Sequence, residues 1–320
     1  MSRRLIVVIA LLAFLIGAGF VGYDRYFSAP PPAVAPVHVG EGELPTQPEF
    51  DELAKADPVK MLSACLTRYE REVQGLHCTL EKQERVQGKP KHPEVPDAEV
   101  IDLWVRGDVP GAQTKLTAIE VVMKWRAGAR RSFGGVEVRG TFFSEKPVPE
   151  GSDKKIVTWR PDARAFKLGP SIDPGSSVAQ AQSRYCIRDA GLYRSMLRTH
   201  EAWKGRQTAG EFKYEYLGTK AVEKADGREC HVIRRICPRT ELDAFELGGT
   251  ASTDPKIVAA EGFTEVVIYI DRERWLQVGT EQYRTEPDGT RVTLGTYFFR
   301  DVVLNPTFAS DTFTTDGLKK

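Results

Sequence analysis

Alternation with a period of two recurs along most of this chain and points to an antiparallel sheet. Ile101, Leu103 and Val105 alternate with Asp102, Trp104 and Arg106. Ile119, Val121, Met123 and Trp125 alternate with Glu120, Val122, Lys124 and Arg126. Phe212, Tyr214 and Tyr216 alternate with Lys213 and Glu215, and Val292, Leu294, Thr296 and Phe298 continue the style. Successive side chains of a strand point to opposite faces, so such runs bury one face and wet the other. Further strands are expected over 78–85, 135–143, 155–160, 164–168, 229–237, 263–271 and 275–284. Asp226-Gly227 and Asp288-Gly289 stand where hairpin turns are needed.

Two segments break the pattern. Val59, Leu62, Leu66, Tyr69 and Val73 step by three and four, with Asp57 as cap, Pro58 at the first helical position and Gly75 as stop. A second helix is expected from a cap at Asp189, through Leu192, Met196 and Trp203, to Gly205. The polar stretch 244–262 reads as a long loop. Strands and helices together predict an α+β domain over 57–320: one large curved antiparallel sheet with helices on one side.

The N-terminus has a different character. Arg3 and Arg4 precede an apolar run from Leu5 to Tyr23, roughly 19 residues, which reach almost 30 Å as a helix. This predicts a transmembrane segment over 1–24, its N-terminus held in the cytoplasm by the arginines. Asp24, Arg25 and Tyr26 fit a membrane exit, while Gly17 and Gly19 leave a cleaved signal sequence open. A twin-arginine signal has a longer polar lead and a weaker apolar core, and a lipoprotein needs an early cysteine, whereas the first here is Cys65. Proline-rich sequence follows, so 25–56 is expected to be a stalk. The main domain is then placed in the periplasm or cell envelope.

Charge excludes one class of partner. Lys and Arg number 45 against 44 Asp and Glu, a net charge of +1, so no nucleic acid is expected. A mean hydropathy of −0.35 excludes a polytopic membrane protein. No phosphate-binding loop, nucleophile elbow or His-Glu-x-x-His motif occurs, and the glycines from Gly134 to Gly140 read as a turn entering a strand. The dipeptides His77-Cys78 and Cys230-His231 each offer one ligand per face, which is short of a zinc set. No metal or cofactor is expected. Cys65 and Cys78 are the pair best placed for a disulfide, between the first helix and the next strand, with buried thiols as the alternative. Glu81 and Glu84 fall on opposite faces, so the charges around them read as the wet side of a sheet.

Several runs resemble a known family. The stretch from Leu62 to Lys89, with Tyr69, Cys78, Lys82-Gln83-Glu84-Arg85-Val86 and Gly88, is similar to the opening of the bacterial domain of unknown function 1571. Met123-Lys124-Trp125, Gly135-Val136-Glu137-Val138, Arg188-Asp189-Ala190-Gly191-Leu192 and Ile268-Tyr269-Ile270-Asp271 continue the likeness. Tyr297, Leu304-Asn305-Pro306 and Asp311-Thr312-Phe313 complete it. The ending also looks like the wider superfamily of the lipoprotein carrier LolA. That resemblance implies a half-barrel with the helices on its concave side, holding a lipid, a lipoprotein acyl chain or another apolar ligand. Ile101, Leu103, Val105, Ile119, Val121, Met123, Trp125 and Phe298 are the candidate lining. The expected function is non-catalytic binding by a membrane-tethered envelope protein. The alternatives are an envelope protein-interaction or sensor module and, further off, an enzyme.

Overall fold

The computed structural model describes residues 43–86, 89–90, 98–109, 119–129, 136–145, 156–163, 167–169, 172–180, 182–237 and 254–320. The expected transmembrane segment 1–24 and the stalk up to residue 42 lie outside these residues. No helix among the described residues is long and apolar enough to cross a membrane.

The chain opens with α1 (Gln47–Ala56) and α2 (Pro58–Glu72), then runs out through β1 (Gly75–Val86), β2 (Lys89–Pro90), β3 (Glu99–Arg106), β4 (Glu120–Ala127), β5 (Gly140–Ser144) and β6 (Ile156–Trp159). A short α3 (Ser177–Gln180) and the long α4 (Leu192–Thr208) follow. The chain returns through β7 (Lys213–Val222), β8 (Arg228–Ile236), α5 (Pro255–Glu261), β9 (Glu265–Asp271), β10 (Gln277–Thr285) and β11 (Arg291–Leu304). The sheet order is β6-β5-β4-β3-β1-β11-β10-β9-β8-β7, with β2 paired to β1. One meander runs outward from the centre and a second runs inward from the far edge. They meet where β11 pairs antiparallel with β1. The α+β class and the single large antiparallel sheet are as the alternation predicts.

Local chemistry explains most boundaries. Asp57 accepts from Lys60 N at 3.1 Å and Pro58 starts α2. The helix stops at Glu72, and Gly75 instead gives room to the Phe308 ring, which lies 2.7 Å from where a Cβ would stand. The second helix departs from expectation at both ends. Gly191, at φ 97°, precedes α4, and Gly210, at φ 72°, follows it. Glycine alone reaches such angles cheaply, so these two outrank Asp189 and Gly205 as boundaries. The expected stalk also ends earlier than residue 56. Residues 47–56 form α1, whose Phe50 stacks on Trp275 at 4.2 Å, so the folded domain begins near Gln47. The expected loop 244–262 contains α5, started by Asp254 and Pro255. Of the expected strand 164–168, residues 164–166 lie outside the described residues, and Leu168 forms a bridge with Trp159.

The expected Cys65–Cys78 disulfide is not formed, and both thiols are free and buried. Burial pushes both thiols well above their ordinary pKa, as befits core packing.

Asn305 closes the centre of the sheet. Its carbonyl oxygen accepts from Gln74 N at 2.6 Å and its amide donates to Glu72 O at 2.7 Å, at a backbone φ of 52°. Asn tolerates that left-handed angle better than other side chains. Asn305→Ala should therefore cost about 2 kcal/mol in a urea melt, and Asn305→Gly about half of that, since glycine relieves the backbone. Equal losses in the two variants would show that the angle is immaterial.

Candidate functional site

The expected lining residues sort by strand register. Ile101 pairs with Trp125, Leu103 with Met123 and Val105 with Val121. Directly paired residues share a face, so these six lie together, and Ile119 joins them by parity. Cys78 and Leu80 of β1 extend the layer. All but Met123 are buried, and Met123 is partly so. They share one core with Leu62, Leu66 and Tyr69 of α2 and Leu192, Met196 and Trp203 of α4. A fully buried side chain of this size contributes about 1.5–3 kcal/mol, so this layer is the main store of stability.

Phe298 does not belong with them. It pairs with Glu81, whereas Leu80 pairs with Ile101, so Phe298 points to the opposite face. There it packs on Tyr269 at 5.4 Å, with the Lys224 ammonium 5.0 Å above its ring. The expected alternation along β11 also breaks, because a bulge at Leu294 puts Val292 and Phe298 on opposite faces. The opposite face is also covered over β3 to β6, where Phe313 and Leu318 of the C-terminal tail pack on Val122, Trp104, Phe142 and Trp159.

The sequence reading missed a polar end to the helix-covered face. Lys82 and Glu84 follow Leu76, Cys78 and Leu80 at the same parity and are buried. Lys82 Nζ lies 3.0 Å from Glu84 Oε2 and 3.4 Å from Glu99 Oε2. Tyr297 OH donates to Glu84 Oε1 at 2.9 Å, and Trp125 Nε1 donates to Glu99 Oε1 at 2.9 Å. Ser183 Oγ lies 3.2 Å from Glu84 Oε2 and 3.3 Å from Lys82 Nζ, which ties the segment before α4 to the sheet. Burial, then the Glu84 carboxylate beside it, holds Tyr297 well above the usual phenol pKa. Next to this cluster, the buried side chains of Thr280 and Gln282 on β10 and Arg235 on β8 share the same face. The face is therefore amphipathic: apolar over β1, β3 and β4 toward α2, and polar toward β10 and β8. The available signal was continued parity past Leu80.

A second polar group fastens α1. Arg272 grips Asp51 with Nε at 3.0 Å and Nη2 at 2.6 Å. His231 stands between Asp51, at 3.0 Å, and Tyr216 OH, at 2.9 Å. Burial lowers the His231 pKa, against the opposing effect of Asp51. An open polar cleft of about 350 Å3 lies alongside, lined by Gln47, Arg228, Glu229, Asp271, Arg272 and Glu273.

A family model for proteins of unknown function, DUF1571, matches residues 73–317. The chain belongs to this family. The run Lys82–Val86, part of the resemblance read from the sequence, lies within the matched residues. No curated protein matches it by sequence. Among solved structures it is similar to a DUF1329 family protein from Desulfovibrio piger, at 14% identity over 82% of this chain and 99% of that one, with a TM-score of 0.36. MucB is similar at 11% identity over 79% and 62%, with a TM-score of 0.40. A LolA superfamily protein from Nitrosomonas europaea is similar at 8% identity over 80% and 99%, with a TM-score of 0.25. Likenesses of this size carry no function across.

Proposed function

We propose that this DUF1571 protein is a cell-envelope protein, tethered by its apolar segment 1–24, that binds a lipid, a lipoprotein acyl chain or another apolar ligand. The ligand enters between the sheet, curled as a half-barrel, and the layer of α2 and α4, and binding is non-catalytic. The N-terminus lies in the cytoplasm and the domain in the periplasm or envelope. The observation that carries the reading is the continuous apolar layer of Cys78, Leu80, Ile101, Leu103, Val105 and Val121 beneath two helices. Apolar sites need few polar groups and no catalytic ones, and the sequence carries no phosphate-binding loop, nucleophile elbow or His-Glu-x-x-His motif. Native mass spectrometry of the protein purified from its own membranes tests this. A retained lipid mass that Leu103→Trp removes is the expected result. A bare protein mass, unchanged after incubation with long-chain lipid, overturns it.

A second reading, an envelope protein-interaction or sensor module without a ligand, is favoured by one observation. The same layer is already covered, with Ile101, Leu103 and Val105 at 0% exposure. A protein partner crosslinked in intact cells, with no lipid retained, selects that reading.

A further inference from the structure

The interior carries a polar stripe that the apolar reading leaves unused. On β10, Gln277, Thr280 and Gln282 all lie on the helix-covered face, paired with Ile270, Ile268 and Val266 of β9. Both glutamines are 1% exposed and Thr280 is 6% exposed. Gln277 Nε2 donates to Thr280 Oγ1 at 2.8 Å, and Gln282 Nε2 donates to the Tyr185 hydroxyl. The other end of each amide, Gln277 Oε1 and Gln282 Oε1, is buried without a hydrogen-bond partner. Native interiors rarely leave such atoms unmet, and here two occur on one face of one strand.

We propose that the Gln277–Thr280–Gln282 stripe is a subsite for the hydroxyl-bearing head of an amphipathic ligand whose chain occupies the apolar layer. The inference rests on the proposed lipid-binding function and adds the chemistry of the head. The unmet atoms are carbonyl acceptors on β10, so the matching group donates. A hydroxyl does so. A phosphate monoanion or carboxylate chiefly accepts, and a quaternary ammonium does neither. Charge points the same way. The stripe is neutral, and its row is flanked by Glu84 on β1 and Arg235 on β8, one charge of each sign. Gly295 sits between Glu84 and Gln282, where a Cβ would stand 2.9 Å from Gln282 Oε1, so a larger residue there would cover the carbonyl.

The full-length chain held in amphipol is titrated with monoolein, which has two free hydroxyls, and with methyl oleate, which has the same chain and none. Native mass spectrometry reads the bound fraction. Monoolein should bind about 10-fold tighter or more, because a site built to hydrogen-bond a hydroxyl rejects the analogue lacking it. Gln277→Leu with Gln282→Leu should abolish that preference and leave methyl oleate binding intact. Thr280→Val, a smaller change, should halve the preference or better even if the double variant folds poorly. Equal binding of the two probes to the unmodified chain overturns the subsite while leaving lipid binding standing. A preference that survives both sets of substitutions also overturns it, and leaves the stripe to buried water. If neither probe binds, the proposed function fails first and the subsite fails with it.

Discussion

Lys82→Met should destabilise the domain by about 3–5 kcal/mol, because it leaves two buried carboxylates facing each other without their shared cation. Lys82 Nζ is 3.0 Å from Glu84 and 3.4 Å from Glu99, and the two acid side chains are 1% and 3% exposed. Methionine replaces the stem of lysine well, so lost packing is a small part of the cost. Replacing all three groups should recover most of the stability. In the triple variant Lys82→Met, Glu84→Gln, Glu99→Gln, the amide oxygens still accept from Tyr297 and Trp125. No charge then remains to be solvated within the triad. Urea melts of the single and triple variants check this. A single-variant loss under about 1 kcal/mol would mean that water reaches the carboxylates and that the cluster is not a buried floor. A triple variant as unstable as the single one would mean that the ion pairs themselves, rather than their imbalance, hold the segment at Ser183 to the sheet.

The same cluster shows where sequence reading ran out. Alternation gave the strands, their faces and the cross-strand grouping of Ile101, Leu103, Val105, Val121, Met123 and Trp125, because period-two burial is written directly into residue order. It misplaced Lys82 and Glu84 because charge outweighed parity. A charged residue at a core position is ordinarily evidence of a wet face, and only a partner from elsewhere reverses that. Here the partners arrive from β3, β11 and the segment at Ser183, over sequence separations of 17 to 213 residues. Phe298 failed for a related reason. Parity is local to a strand, and register between β1 and β11 is set by pairing across the whole chain. The helix ends failed locally: Asp189 and Gly205 satisfy the usual rules, but the positive-φ positions at Gly191 and Gly210 decide. The cavity expectation was the least legible. An apolar strand face looks the same in sequence whether a helix or a ligand covers it.

Asp108 should make the domain less stable as pH rises from 4 to 8. The carboxyl is 1% exposed, in the turn after β3, and accepts from Tyr69 OH at 3.0 Å. Burial pushes its pKa up to about 6, against the Tyr69 bond, its own backbone amide and the more distant Arg194. The ordinary value is 3.8, so the folded state holds the proton more tightly than the unfolded state. This group's contribution is therefore fully present below about pH 4 and lost as pH passes through about 6. A two-unit shift corresponds to about 3 kcal/mol, an upper figure here because the nearby N-terminus of α4 favours the anion. Asp108→Asn keeps an acceptor for Tyr69 and removes the charge. The variant should exceed the unmodified protein by only about 1 kcal/mol near pH 4.5 and by up to about 3 kcal/mol at pH 8. Asp51 acts in the opposite sense. Its carboxyl is held well below the usual range, first by Arg272, so its contribution is lost only as pH falls below about 4. Denaturant melts at pH 4.5 and 8 therefore isolate Asp108. An Asn variant offset by the same amount at both values would show that the carboxyl is solvated and that the α2–β3–α4 junction is open to water. That result would also weaken the closed apolar layer, because Tyr69 belongs to both.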